Sequence, residues 1–421
     1  MSELISRDAA HLWHPYTQHG LEAAPLPIAR AKDAVLTLAD GRELIDAISS
    51  WWATLHGHGN PVLIEAMERQ ARELDHAIFA GATHEPAVAL AEAVLDVAPA
   101  GLARVFYSDD GSTAVEVALK MAYQRWVHAG EPQRTVFVAL EGGYHGDTFG
   151  AMAVGEPAPF FETFEPLLFE VRRVTPDEES LHRALEELGE RACAVILEPL
   201  VQGAAGMVMH EPGFLRAARG LCDQSGLPLI VDEVMTGFGR TGSLFACEKA
   251  GVTPDLMCLA KGLTGGMLPL AATLATEEIY AAFLSTDRSK AFFHGHTFTA
   301  HPIGCAVGLA SLGLVRANDV PARLDAIGRR IEEGLRDVAD GERVRDLRRT
   351  GGIVALELAP PKGDRTGYLA NLSLRLRAEA IERGVLLRPL GNVLYAMPPA
   401  CTTDEQCDTI GQVMGELVRL I

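Results

Sequence analysis

Positive charge is the scarcer sign in this 421-residue chain: 37 lysines and arginines face 56 aspartates and glutamates, a formal net charge of −19. A surface of that sign repels polyanions, which argues against a nucleic acid or an anionic membrane as partner. Cysteine is sparse and unpatterned. The seven (Cys193, Cys222, Cys247, Cys258, Cys305, Cys401, Cys407) are odd in number and lack C-x-x-C spacing, so neither a disulfide framework nor a zinc site is expected, and a reducing cytoplasm fits best. MSELISRDAAHLWHPY contains no apolar h-region, so no signal peptide is expected. One stretch, between Lys290 and Arg316, has no Asp, Glu, Lys or Arg, but His294, His296, His301 and Pro302 interrupt it. That composition suits a buried site and not a bilayer. Repeats and low-complexity tracts are missing too, since the 41 glycines and 23 prolines are spread along the chain.

What is present is enough for a core: 48% of residues are hydrophobic, and the length allows two or three domains. Short β-rich runs, RVFYS (104 to 108), TVFVAL (135 to 140), CAVILEP (193 to 199), LPLIVDE (227 to 233) and DLMCLAK (255 to 261), recur between helical stretches. This alternation predicts an α/β fold with a mostly parallel central sheet. Glu198, Asp232 and Lys261 fall at the ends of such runs, where open α/β sheets bind ligands. From about 320, ARLDAIGRRIEEGLRDVAD followed by GGIVALEL and NVLYAMP predicts a smaller α/β unit, completed by the N-terminal segment around AVLTLADGRELID. The expected divisions are 1–55, contributing to the small domain, 56–320, a large domain, and 321–421, the rest of the small one.

An amine and an acid at the ends of neighbouring parallel strands suit pyridoxal phosphate. Lys261 would hold the aldehyde as an imine and later act as a base, and Asp232 would keep the ring nitrogen protonated. SDDGSTAVEVALKMAYQRW predicts a helix whose N-terminus offers Gly111, Ser112 and Thr113 to a phosphate, although Ser and Thr there also serve as ordinary caps. Tyr144, in the glycine-rich EGGYHGDTFGAM, has a face to stack on the cofactor, and Thr297 in GHTF adds phosphate donors. GFGRTG (237 to 242) matches the dinucleotide fingerprint G-x-G-x-x-G, but DEVMT separates it from its strand and only a short helical segment follows it, so a nicotinamide or flavin site is set aside. The pairs His11/His14, His56/His58 and His294/His296 lack H-E-x-x-H or a Cys/His cluster and read as packed or supporting histidines, not metal ligands.

DEVMTGFGRTG, LAKGLTGG, SDDGSTAVEVALK and GYHGDTFGAM together resemble the class III (ω-type) pyridoxal-phosphate aminotransferases over nearly the whole chain. HLWHPYT (11 to 17), SSWWATLHG (49 to 57) and LLRPLGNVLYAMPP (386 to 399) resemble, within that family, the branch that aminates 8-amino-7-oxononanoate to 7,8-diaminononanoate in biotin synthesis. The resemblance implies fold type I, with Lys261 as the Schiff-base lysine, Asp232 facing the pyridine nitrogen, Gly111 and Ser112 in the phosphate cup, and Tyr144 on the ring. It further implies an obligate homodimer with composite sites, in which His296 and Thr297 reach the neighbouring subunit's phosphate. Tyr16, Trp51 and Gly295 match substrate-contacting positions; Trp52 would line the channel for the apolar chain beside Trp51, and Arg388 would hold the carboxylate. Met235, where ornithine-type members carry Gln, speaks against an ornithine substrate. Adenosylmethionine is the typical donor of that branch and lysine the alternative. Other ω-aminotransferases, aminomutases and a non-catalytic binding protein share the fold; the tryptophan pair, and the presence of both Lys261 and Asp232, weigh against them.

Overall fold

Apolar runs without polar alternation are buried on both faces, and four such runs form the middle of a seven-stranded sheet. In the computed structural model, which describes residues 3–359, 368–370 and 372–421, the strand order is Leu102–Ser108, Ala271–Thr276, Leu256–Leu259, Leu229–Asp232, Ala192–Leu197, Val136–Leu140 and Val171–Val174. All pairings are parallel except the two made by Ala271–Thr276. The five predicted strands are all here. The two that were not predicted carry weak β signals: AATLAT is built on alanine, and VRRV puts two arginines on an edge.

The helix Gly111–Ala129 packs across this sheet and buries Val115, Ala118, Leu119 and Ala122, as its periodicity predicts. Beyond it, Val344–Thr350, Ile353–Leu358 and Val393–Ala396 make a three-stranded antiparallel sheet. Val35–Leu38 and Glu43–Asp46 pair with each other, with Ile28–Lys32 through the former, and with Val385–Leu386 through the latter, so the two ends of the chain share a sheet. One apolar cluster runs continuously through the central sheet and the C-terminal elements. The charge-free stretch becomes, from Pro302 to Ala317, a helix that buries Cys305, Val307, Leu312 and Val315; among the described residues no single helix is long and apolar enough to cross a membrane.

GFGRTG opens no helix. It forms turns that end in the short 3-10 segment Ala246–Ala250, and its Arg240 is almost fully buried. Beside it, helix Val320–Glu333 lies so close to the Gly351 turn that a Cβ on Gly328 would sit 2.0 Å from the Gly351 carbonyl oxygen. Gly328→Ala is therefore expected to destabilise the protein by about 2 kcal/mol or more, since a backbone carbonyl cannot yield as a side chain can; denaturant unfolding measures it.

Candidate active site

Parallel register brings the predicted pair together. Asp232 ends its strand opposite Cys258, and Lys261 follows two residues after Leu259. Lys261 leaves the strand at φ +40°, in the left-handed region a side chain rarely adopts, so local strain is held where the amine is presented. Its Nζ lies 4.9 Å from the centroid of the Trp52 ring. Burial lowers the amine's pKa and Arg240 adds to the effect, while Asp232 and Glu198 oppose it.

Asp232 is buried and bonded on both oxygens: Oδ1 accepts the Val234 N–H at 3.0 Å, and Oδ2 lies 2.7 Å from His145 Nδ1. Glu198, one residue past its strand, accepts N–H donors from Tyr144 (3.0 Å) and Gly203 (2.9 Å). Burial, with Asp232 adding to it, pushes the Glu198 carboxyl up to about 7 against the pull of His145 and the two N–H groups. The imidazole's pKa is raised as well, but for the opposite reason. Burial alone would keep it neutral, yet the hydrogen bond and charge of Asp232, with Glu198 behind them, raise its pKa.

At the start of helix Gly111–Ala129, Asp110 and Thr113 form a reciprocal capping box. Thr113 is thus occupied by the cap, and Gly111 and Ser112 face the cavity. A Cβ on Gly111 would come within 2.6 Å of Val234 Cγ1, so a glycine lets the helix end approach the Asp232 strand. Ser112 Oγ is 2.8 Å from Thr148 Oγ1 and accepts the Thr148 N–H at 3.0 Å. These groups, with Tyr144, Lys261 and Asp232, line a cavity of about 660 Å³. An amine for an aldehyde, a carboxylate for a ring nitrogen, and a helix N-terminus for a phosphate fit pyridoxal phosphate.

A second cavity of about 300 Å³ shares Trp52, Tyr144, Asp147 and Lys261 with the first and extends to Tyr16, Trp51, Tyr368 and Arg388. Asp147 Oδ1 accepts both phenols, from Tyr16 at 2.7 Å and from Tyr144 at 3.0 Å, and burial raises the pKa of both so that they remain donors. The tryptophans divide the work: Trp51 is 41% exposed under the Arg388 guanidinium, 4.2 Å from its ring centroid, whereas Trp52 is 6% exposed and donates Nε1–H to Tyr395. Arg388 also donates to the Tyr368 hydroxyl at 3.2 Å. The turn carrying both tryptophans has positive φ at Ser49, Ser50 and Trp52. Buried Asp46 holds it by accepting the Ser50 N–H and hydroxyl, and buried Arg240 by donating to the carbonyls of Trp52, Thr54 and Pro398.

Gly295, His296 and Thr297 are not brought to Lys261. Gly295 and Thr297 are exposed, and none of the three lines either cavity. His296 Nδ1 lies 3.1 Å from Asp109 Oδ2, on the rim of the larger cavity, without hydrogen-bond alignment. His56 meets Ser311, His58 meets Asp46 and His294 meets Lys120, so these histidines have partners within the fold. Sequence reasoning missed His145, Asp147, Asp46, Arg240 and Tyr368. Asp147 follows Tyr144 in the same loop and could have been found there.

The Glu198 shift has a measurable consequence. A carboxyl raised from 4.5 to about 7 contributes stability that is fully present below 4.5 and lost as pH rises through about 7. Against Glu198→Gln, wild type should therefore lose on the order of 3 kcal/mol of relative stability across that window, read from melting curves at several pH values.

Comparison with known proteins agrees with this geometry. The family model described as aminotransferase class-III matches residues 16–418. A curated protein from Synechococcus elongatus, named adenosylmethionine-8-amino-7-oxononanoate aminotransferase, is 49% identical over 97% of this chain and 98% of its own length. Its namesake from Geobacter sulfurreducens is 41% identical, covering 95% and 94%. The crystal structure of the enzyme of that name from Methanocaldococcus jannaschii superposes with a TM-score of 0.95 at 37% identity, covering 99% of this chain and 98% of that one. An amine transaminase from an uncultivated Pseudomonas species, solved in its PLP-bound form, gives 0.89 at 33%, covering 97% and 98%. The sheet order, the strand-end lysine and aspartate, and these likenesses over almost the full length agree: the fold is that of the type I pyridoxal-phosphate transferases, and the chain belongs to the class-III aminotransferases.

Proposed function

We propose that this chain transfers an amino group from adenosylmethionine to the ketone of 8-amino-7-oxononanoate, giving 7,8-diaminononanoate for biotin synthesis, with pyridoxal phosphate as cofactor. The observation that carries the reading is the pairing of a lysine–aspartate strand-end site with an aromatic arm ending in Arg388; relatives 38 to 49% identical over the chain bear the matching name. When bound, the cofactor supplies a carbonyl to carry the amino group and an electron-poor ring to spread the charge of the reacting carbon. Lys261 Nζ would anchor it and would carry the proton between the donor carbon and the cofactor's C4′. Asp232 holds the proton on the ring nitrogen. The N–H groups of Gly111 and Ser112 bind the phosphate, and Tyr144 packs on the ring. Trp51, Trp52 and Tyr16 line the path of the apolar chain, and Arg388 receives its carboxylate by a charge-assisted pair.

His296 and Thr297 reach the phosphate of a second subunit in this reading, and Gly295 adjoins that subunit's substrate, which makes the working unit a homodimer. The surface position of Gly295 and Thr297 in a single chain supports this. Seven free cysteines suit the cytoplasm.

The visible absorption band of the cofactor-loaded protein should bleach with adenosylmethionine and return with 8-amino-7-oxononanoate; Lys261→Ala should do neither. Bleaching by lysine in place of adenosylmethionine would keep the transaminase and change the donor. Arg388→Ala should lower kcat/KM for the oxononanoate roughly 10- to 100-fold, the loss of one charge-assisted contact, and leave the cofactor band in place.

A further inference from the structure

Between the end of strand Leu102–Ser108 and Gly111, the first residue of the phosphate-cup helix, the chain places two acids, Asp109 and Asp110. A helix N-terminus attracts a carboxylate and a phosphate alike, so acids at this point compete with the ligand and repel it. Asp110 is accounted for, because its Oδ1 accepts the Thr113 N–H at 2.9 Å and caps the helix. Asp109 lines the cavity and accepts no hydrogen bond among the described residues. Its one ion-pair partner among them is His296, whose Nδ1 lies 3.1 Å from Oδ2. That nitrogen is buried and out of line for a hydrogen bond. A neutral imidazole so placed gives the carboxylate nothing, whereas an imidazolium offsets its charge without needing alignment.

The other basic groups nearby are engaged elsewhere. His294, with its ring centroid 5.0 Å from that of His296, has Nδ1 at 3.1 Å from Lys120 Nζ. Burial lowers its pKa, Lys120 and His296 add to the effect, and Glu116 opposes it. His301 uses Nδ1 to accept the Gly304 N–H at the start of the helix Pro302–Ala317. Burial lowers its pKa as well, with His76 and His84 adding and Asp75 and Asp109 opposing.

We propose that His296 compensates the charge of Asp109, so that the cavity rim is electrically balanced where the cofactor's phosphate settles on the N–H groups of Gly111 and Ser112. His296 then acts on the cofactor through Asp109, as a positioning residue. This rests on the cofactor reading above, and on neither the substrates nor the second subunit.

The test is a double-mutant cycle in the full-length cofactor-free protein, with the dissociation constant of pyridoxal phosphate read by equilibrium dialysis. His296→Gln leaves the Asp109 carboxylate unanswered and should raise that constant roughly 10-fold. Asp109→Asn should bind at least as tightly as wild type. Asp109→Asn combined with His296→Gln should return to within about 3-fold of wild type, a recovery that loss of packing does not produce. At about 1 M salt, where charges are screened beyond roughly 3 Å, the His296→Gln deficit should shrink to less than about 3-fold. Wild-type affinity in His296→Gln would overturn the proposal. So would a double variant as impaired as His296→Gln, because His296 would then touch the phosphate itself or only pack. Should His296→Gln fail to fold, Asp109→Asn decides alone: weaker binding than wild type sinks the idea. Dialysis needs no amino transfer, so failure here and failure of the proposed reaction on 8-amino-7-oxononanoate are distinguishable.

Discussion

A carboxylate taken out of water at the end of a buried strand is stable only if its oxygens are bonded and a positive charge is near, and that requirement at Asp232 shapes everything around it. The Val234 amide and His145 satisfy its oxygens. Parallel pairing with the next strand sets Lys261 on the same floor. The second buried carboxylate, Glu198, is pushed towards neutrality by burial and by Asp232. Two acids at adjacent strand ends thus have different partners: Asp232 is bonded by the Val234 amide and His145, and Glu198 fastens the Tyr144 loop by accepting its amide N–H. Burial and Arg240 lower the pKa of the Lys261 amine against the opposing pull of Asp232 and Glu198, which favours its reactive neutral form.

The wall opposite is held by different means. Three positive-φ residues within the Ser49–Trp52 turn, and a fourth at Lys261, cost of order 1–3 kcal/mol each in sparsely populated backbone. They persist because the surroundings over-determine them. Asp46, fully buried, accepts from the turn and from His58, while Arg240 donates to carbonyls on both sides of it. The peptide that imitates a dinucleotide fingerprint is thereby a brace for the tryptophan turn, and its glycines serve chain packing: a Cβ on Gly239 would be 3.1 Å from the Pro321 nitrogen.

Strands and chemistry were legible in the sequence where one residue type implies one environment. LPLIVDE, and DLMCLAK after its first residue, are apolar until a charged residue, and such runs end at a ligand face in parallel sheets. The helix after SDDG was readable from its period and cap, yet Thr113 was assigned a share in phosphate binding that the capping box denies it. AATLAT was not legible, because alanine carries no β preference and only pairing with two neighbours makes it a strand. His145 and Arg240 escaped notice because their importance is tertiary: one is defined by an acid 87 positions away and the other by carbonyls up to 188 positions away. No local pattern encodes a contact of that kind.

Arg388 shows how an acidic protein keeps a cation free for an anionic ligand. Many of its other arginines are held by carboxylates: Arg330 by Asp404 and Asp408, Arg349 by Asp325 and Glu332, Arg383 by Glu379 and Glu416. Arg388 has no such pair among the described residues. Its neighbours are the Trp51 and Tyr16 rings and the Tyr368 hydroxyl, which fix the guanidinium by cation–π contact and one hydrogen bond without neutralising it. Aromatic walls also lower the local dielectric, which strengthens the attraction for an incoming carboxylate and would make a resident acid hard to displace. Lys261 and a helix N-terminus stand at the other end of the same joined cavities, so this chain of net charge −19 still offers cationic and N–H groups to an anion there. An anion carrying an apolar chain therefore finds in this arm a guanidinium free of carboxylates and rings to meet its methylenes.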